Sequence, residues 1–234
     1  MTGPAQGRPG QVPGWLLDLA AAAQDLTVPA EMRPPPGGGR RSAILILFGA
    51  EESSPRASTG PDLLLVQRSQ SLRQHAGQPA FPGGVIDPDD EGPAGAALRE
   101  AAEEAGVEPA GVDIVSVLPD LYIPRTGFQV TPVLAWWRAP VPVAPGDPAE
   151  VAAVARVPIA ELADPASRLM IRYPNGASGR AFRAGAMLIW GFTAYVIDSL
   201  LRLGNWELPW DTNQVVDLAQ GEQLTGINIP IQAS

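Results

Sequence analysis

The clearest pattern along the chain is a set of short apolar runs separated by polar, glycine- and proline-rich stretches. SAILILFG, residues 42 to 49, is branched and apolar throughout and predicts a buried strand. Leu63 to Gln67 repeats that pattern after the polar loop EESSPRASTGPD, so the two segments predict strands of one sheet. Val112 to Leu118, Gln129 to Trp137 and Val151 to Val157 read as further strands. Helical composition appears at Trp15 to Asp25, where Leu16, Leu17 and Leu19 lie near Ala20 to Ala23. PIAELAD starts a short helix, and Met187 to Leu203 reads as one long apolar helix. The opening MTGPAQGRPGQVPG is expected to be poorly ordered, and PPPGGGRR at 34 to 41 reads as a linker into the main domain. From Asp211 onward the chain is polar and weakly periodic, a loosely docked tail. Strands before, between and after helices predict an α/β (α+β) sandwich with a mixed sheet.

One helix carries an unusual charge pattern. Pro93 fits a first helical turn, Asp89, Asp90 and Glu91 complement the positive end of the dipole, and Gly106 fits the C-terminal cap. The helix is therefore expected over Pro93 to Ala105. At about 100° per residue, Leu98, Ala101, Ala102 and Ala105 form an apolar stripe, while Glu100, Glu103 and Glu104 share an arc on the other side. Each like-charged pair at that spacing costs roughly 0.2 to 0.5 kcal/mol in an isolated helix, and Arg99 relieves only part of it. A hard divalent cation would reverse the sign of that repulsion. Gly83 and Gly84 allow a backbone turn to approach the same face. A solvated acidic helix face is the competing reading.

Composition narrows the chemistry. The 234 residues hold no cysteine and one histidine, His75, which excludes thiolate nucleophiles, cysteine zinc sites and histidine-rich metal centres. A formal charge of -9 argues against nonspecific nucleic-acid binding, and an anionic substrate would need a local basic patch or a metal. No run of about 18 to 20 apolar residues is present to span a bilayer, and no basic n-region precedes an apolar stretch at the N-terminus. The expectation is a cytoplasmic protein acting on a small molecule through carboxylates and arginines.

At Glu91, Arg99, Glu100, Glu103, Glu104, Gly106 and Val107 the chain resembles the Nudix hydrolases, whose signature is Gx(5)Ex(7)REUxEExGU with U aliphatic. Gly84 stands one residue further from Glu91 than that pattern asks. The preceding LLVQRSQSLRQHAGQPAFPGG is similar to the extra motif of the coenzyme A diphosphatase subgroup, through Leu64, Leu65, Arg68, Ser69, Arg73, Gly77, Phe81, Pro82, Gly83 and Gly84. Val66 replaces a threonine of that motif, and the longer Gly-to-Glu spacing is shared with the subgroup. Weaker similarity continues through LPDLYIPRTGFQVTPVLAW and LIWGFTA.

The resemblance implies a Nudix-type α/β/α sandwich over 42–210, flanked by an N-terminal extension, 1–41, and a tail, 211–234. It implies Mg²⁺ or Mn²⁺ held by Glu100, Glu103 and Glu104, with Arg99 orienting a carboxylate and bracing the loop. Arg68, Arg73, Gly77, Gln78, Phe81, Gly83 and Gly84 would form the substrate side, the two arginines pairing with phosphate or else with the acidic loop at 87 to 91. Glu150 and Asp120 both stand as general bases, and Glu91 as a supporting group. His75 reads as a hydrogen-bonded structural residue, Phe81 as core or a turn anchor, and the tryptophans at 136, 137, 190, 206 and 210 as packing, with one tail tryptophan lining the pocket as the alternative. The implied reaction is hydrolysis of coenzyme A or acyl-CoA to 3′,5′-ADP and (acyl-)4′-phosphopantetheine. NADH, ADP-ribose or an oxidised nucleotide as substrate, or nucleotide binding without catalysis, are the alternatives. A homodimer is compatible with the sequence, although nothing in the residues demands it.

Overall fold

A computed structural model describes residues 11–50, 60–72 and 75–218. Helix α1 spans Gly14–Gln24, close to the expected segment. Strand β1, Arg40–Gly49, begins two residues before the expected strand and absorbs the end of the proposed linker. Left-handed Gly37 and Gly38 turn the chain into it. Strand β2 (Asp62–Arg68) follows, then two short strands that composition did not reveal, β3 (Pro79–Ala80) and β4 (Gly83–Val85). Helix α2 is Gly92–Ala105, and β5 (Val112–Val117), β6 (Leu121–Ile123), β7 (Phe128–Trp137) and β8 (Val151–Pro158) complete the main sheet. Residues 51–59, most of the expected polar loop, lie outside the described residues.

The sheet is mixed, as expected. Its central strand β1 pairs parallel with β7 from Arg40↔Phe128 to Phe48↔Trp136, and antiparallel with β2 and β4. Strands β8 and β3 pair with β2, while β5 and β6 pair with β7. Because side chains alternate across a strand, β1 serves two cores. Ala43, Leu45 and Leu47 join Leu64, Val66, Val133 and Trp137 against the alanines of α2. Ile46 and Phe48 join Leu63, Leu65 and Leu134 beneath α1 and helix α4, Gly191–Leu203. The result is the expected α/β/α sandwich, and the continuous apolar runs follow from burial on both faces.

The expected long helix at Met187 to Leu203 is two elements. Met187–Ile189 is strand β11, paired antiparallel with β10 (Ser178–Ala184), and α4 starts only after left-handed Gly191 redirects the chain. A short apolar run carries no periodicity to distinguish strand from helix, and here the strand partner decides. PIAELAD does form a short helix, α3 (Ile159–Ala163). Strands β9 (Arg168–Arg172) and β12 (Val215–Asp217) complete a second four-stranded sheet in the order β11, β10, β9, β12. The tail from Asp211 is thus not loosely docked at its start: Val215 to Asp217 add in parallel to β9. Residues 219–234 lie outside the described residues.

Buried Asp198 ties this second sheet to α4. It accepts from Arg168 at 2.5 Å and lies 3.3 Å from both Arg180 and Arg202. Burial raises its carboxyl pKa, and the three guanidiniums oppose that rise. The tryptophans pack as expected: Trp15 meets Phe48, Trp136 and Trp206 edge-on, Trp210 lies under Arg168, and Trp137 is fully buried under Arg156.

Candidate active site

Helix α2 lies over β4 and the sheet through small side chains, with Ala97, Ala101 and Ala105 fully buried. Such close approach lets the helix bring its carboxylates onto the glycine turn. The Gly83 N–H donates to Glu104 Oε2 at 3.0 Å. One residue on, a methyl group at Gly84 would overlap the Glu100 carboxyl, so only glycine leaves room for it there. Gly83 is equally constrained on its other side, where a methyl group would run into the backbone of Ala43 and Ile44.

The three glutamates do not share one environment. Glu104, expected on the polar side, is 8% exposed and belongs to the buried face. Burial pushes its carboxyl up to about 7, the Gly83 N–H opposes this, Glu100 and Glu150 raise it further, and Arg68 lowers it. Glu100 is also raised, chiefly by burial, with Arg99 pulling the other way. Glu103 instead points outward, its side chain 60% exposed and held by Arg99 at 3.2 Å. The helical wheel grouped the three because it measures angle about one axis and ignores how deeply the β4 turn covers each position.

Arg99 ties α2 to the acidic loop and to the end of β4. It donates to both Asp90 oxygens at 2.9 and 3.1 Å, to the Val85 carbonyl at 3.1 Å and to Glu100 at 3.0 Å. The Arg99 hydrogen bonds hold the Asp90 carboxyl below its usual range. The acidic loop at 87 to 91 is therefore engaged by Arg99, not by Arg68, and Asp90 is a supporting residue that the sequence reading passed over as a dipole partner. Glu91 is the N-cap residue of α2 but makes no side-chain capping hydrogen bond.

On the substrate side, Arg68 ends β2 and feels Glu104 electrostatically, while its buried Nε has no hydrogen-bond partner among the described residues. Arg73 lies outside the described residues. Gly77 is left-handed, and its N–H bonds the Arg68 carbonyl at 3.1 Å, while Arg68 N–H bonds the Gln78 carbonyl, closing the loop onto β2. His75 Nδ1 lies 2.9 Å from Gln78 Oε1, which commits the Gln78 side chain to the loop. Phe81 is 3% exposed and packs in the core, so its side chain shapes the turn from beneath instead of facing a ligand.

The two candidate bases separate clearly. Asp120 accepts from Gln129 Nε2 and Thr131 Oγ1, so both its oxygens are occupied. Glu150 sits on a turn whose backbone carbonyl accepts from Ser69 N–H at 2.8 Å, and its charge is felt at Glu104. Among the described residues no three carboxylates or imidazoles converge closely enough to hold an ion. The donor chemistry nevertheless fits a hard divalent cation: Glu100 and Glu104 are both destabilised by burial and by neighbouring carboxylates, Glu103 and Asp87 acting on the first and Glu100 and Glu150 on the second, and a cation would relieve both effects. Glu103 would have to leave Arg99 to join them.

The sequence model of the NUDIX domain matches residues 39–173. The chain belongs to the Nudix family. NudL of Cronobacter sakazakii, an uncharacterized Nudix hydrolase, is 41% identical over 152 residues, spanning 62% of this chain and 76% of its own. NudL of Escherichia coli K12 is 40% identical over 148 residues, with the same shares covered. Among solved structures, the Nudix hydrolase RenU of M. smegmatis is similar at 25% identity and a TM-score of 0.44, covering 58% of this chain and 84% of RenU. The chain is thus a Nudix diphosphatase acting on a nucleoside diphosphate derivative, and Nudix hydrolases generally use divalent metal ions. No helix among the described residues is long and apolar enough to cross a membrane.

Proposed function

We propose that this Nudix hydrolase cleaves the diphosphate of coenzyme A or acyl-CoA, releasing 3′,5′-ADP and 4′-phosphopantetheine or its acylated form. The observation that carries this reading is the meeting of three features: Glu104 accepts from the Gly83 N–H, the Glu100 carboxyl rests against Gly84, and the Arg68 charge reaches Glu104, with the motif of the coenzyme A subgroup supplying both the arginine and the turn. Water adds to one phosphorus, the bridging P–O bond breaks, and the leaving phosphate takes the electron pair.

Glu100 and Glu104, joined by Glu103, would hold Mg²⁺ or Mn²⁺. When bound, such an ion neutralises diphosphate charge and acidifies a coordinated water. The residues supply position and charge, which dominate phosphoryl-transfer catalysis. The turn fixes Glu104 through the Gly83 N–H, and Arg99 fixes Glu100 through its Nη1. Arg68, whose charge reaches Glu104, would pair its guanidinium with a phosphate oxygen there. Glu150 is the better placed proton acceptor, since Asp120 has both oxygens occupied and Glu150 stands on a turn anchored beside Glu104.

A substrate panel tests the reading: coenzyme A, acyl-CoA, dephospho-coenzyme A, NADH, ADP-ribose and an oxidised nucleoside triphosphate, each with Mg²⁺ and Mn²⁺. Products are identified by mass to locate the broken bond. Turnover highest on coenzyme A thioesters or coenzyme A, yielding 3′,5′-ADP, is expected; preference for any of the others transfers the function to that substrate.

A further inference from the structure

We propose that Arg41 forms a second anion subsite, on the β6–β7 side of the glutamates, that takes a phosphoryl group carried on the ribose of the substrate. This deepens the coenzyme A reading and rests on it. Coenzyme A carries a phosphomonoester besides its diphosphate, and Arg68 lies within electrostatic reach of Glu104, at the centre where the diphosphate must bind. The ribose phosphate therefore calls for a cation besides Arg68, and Arg73 lies outside the described residues.

Most other arginines among the described residues are committed. Arg99, Arg138, Arg156, Arg168, Arg172, Arg180 and Arg202 each pair with a carboxylate. Of those that pair with no carboxylate among the described residues, Arg33 donates to the Val28 carbonyl, Arg40 lies over Phe128, Arg183 belongs to β10 of the second sheet and Arg125 to the turn between β6 and β7, whereas exposed Arg41 stands on β1 itself. Its backbone is nonetheless rigid, since it pairs in parallel with Gln129 and its carbonyl accepts from Ile86 N–H at 3.2 Å.

Alternation along β1 puts the Arg41 side chain on the same face as Ala43, Leu45 and Leu47, the face covered by α2. Ala43 pairs directly with Gly84, against which the Glu100 carboxyl rests. Arg41 is therefore two residues, about 7 Å along the strand, from the glutamate centre. Arg40, the neighbouring residue, faces the opposite side and lies over the Phe128 ring instead.

The row that Arg41 opens is built for a polar ligand. Gln129 stands opposite it on β7, and Tyr122 stands opposite Gln129 on β6. The Gln129 amide is held at both ends, donating to Asp120 and accepting from Gly39 N–H at 3.2 Å. The Tyr122 ring packs where a side chain at Gly39 would stand. A guanidinium presented on a fixed strand beside such a floor matches bidentate phosphate binding better than it matches a solvated strand end. Asp120 then acts as a positioning residue, holding the floor in register.

Calorimetric binding of 3′,5′-ADP and of 5′-AMP in Mg²⁺ tests this, using the full chain as wild type, Arg41→Ala and Arg68→Ala. Wild type should bind 3′,5′-ADP at least about tenfold more tightly than 5′-AMP. Arg41→Ala should abolish that ratio with 5′-AMP affinity little changed, and Arg68→Ala should weaken both nucleotides while keeping the ratio. The proposal is overturned if Arg41→Ala keeps the ratio, if the ratio depends on Arg68 instead, or if wild type shows none. A matching thermal melt for Arg41→Ala excludes a folding effect. Coenzyme A turnover on the same preparations is a separate readout: preference for the 3′-phosphate without turnover removes the parent function and leaves the subsite standing.

Discussion

Replacing Glu104 by glutamine should stabilise the metal-free protein while removing its activity. Glu104 is buried and its carboxyl is pushed up to about 7, against about 4.5 for the unfolded chain. A raised acid favours folding below its unfolded pKa and loses that contribution as pH climbs through the folded value. Between pH 5 and pH 8 this one group should remove about 2.5 kcal/mol from the stability of the wild type. Glutamine keeps the acceptor for the Gly83 N–H but carries no charge, so its melting should not show this loss. In EDTA, the melting temperature of Glu104→Gln relative to wild type should rise by about 5 to 10 °C on going from pH 5 to pH 8. Differential scanning fluorimetry across that range suffices as the assay, with turnover in Mg²⁺ measured alongside. A pH-independent difference between the two proteins would show that Glu104 is not held at a raised pKa, and retained turnover would remove it from the metal site.

Mg²⁺ or Mn²⁺ should stabilise the wild type more at pH 8 than at pH 5, because the carboxylates it neutralises are ionised there; an equal gain at both values, read by the same melts, would place the ion elsewhere. Gly84→Ala should cut kcat by roughly 10- to 100-fold with a small change in melting temperature, since its methyl group displaces the Glu100 carboxyl, whereas Gly83→Ala should cost about 1 to 3 kcal/mol of stability because it meets backbone. Arg99→Lys should lose most activity despite keeping its charge, because one ammonium cannot span Asp90, Val85 and Glu100; steady-state kinetics with folding checked by circular dichroism decide this. Asp198→Ala should destabilise by about 3 kcal/mol in urea unfolding, since it leaves the buried Arg168 guanidinium with only partly exposed Glu207 to pair with among the described residues.

The central sheet was legible because β1, β2, β5, β7 and β8 are long enough to show their composition. Strands β3, β4 and β6 are two or three residues each, and β3 and β4 also contain proline or glycine, so no local signal marks them; only pairing with long strands makes them sheet. The second sheet escaped for a related reason. Arg168, Arg172 and Arg180 interrupt the apolar pattern of β9 and β10, yet Arg168 is buried through Asp198, a partner 30 residues away. At the candidate site, the motif singled out Glu100, Glu104 and Arg99, and the structure brings all three to the turn at Gly83 to Val85. What it could not supply was depth: Glu103 and Glu104 are adjacent in sequence, and only the turn at Gly83 makes one buried and the other solvated.

The parallel pairing of β1 with β7 also bears on how the protein comes into being. Arg40 meets Phe128 and Phe48 meets Trp136, so the central strand waits for a partner 88 residues downstream. Closing so large a loop comes late in folding and slows it. On the ribosome, the glycine turn and its glutamate helix emerge well before the strand that completes the sheet beneath them. An N-terminal fragment ending before residue 128 would hold the whole Nudix signature and still lack the floor on which its carboxylates are set. Any strategy that splits or truncates this enzyme should therefore keep β1 and β7 on the same piece.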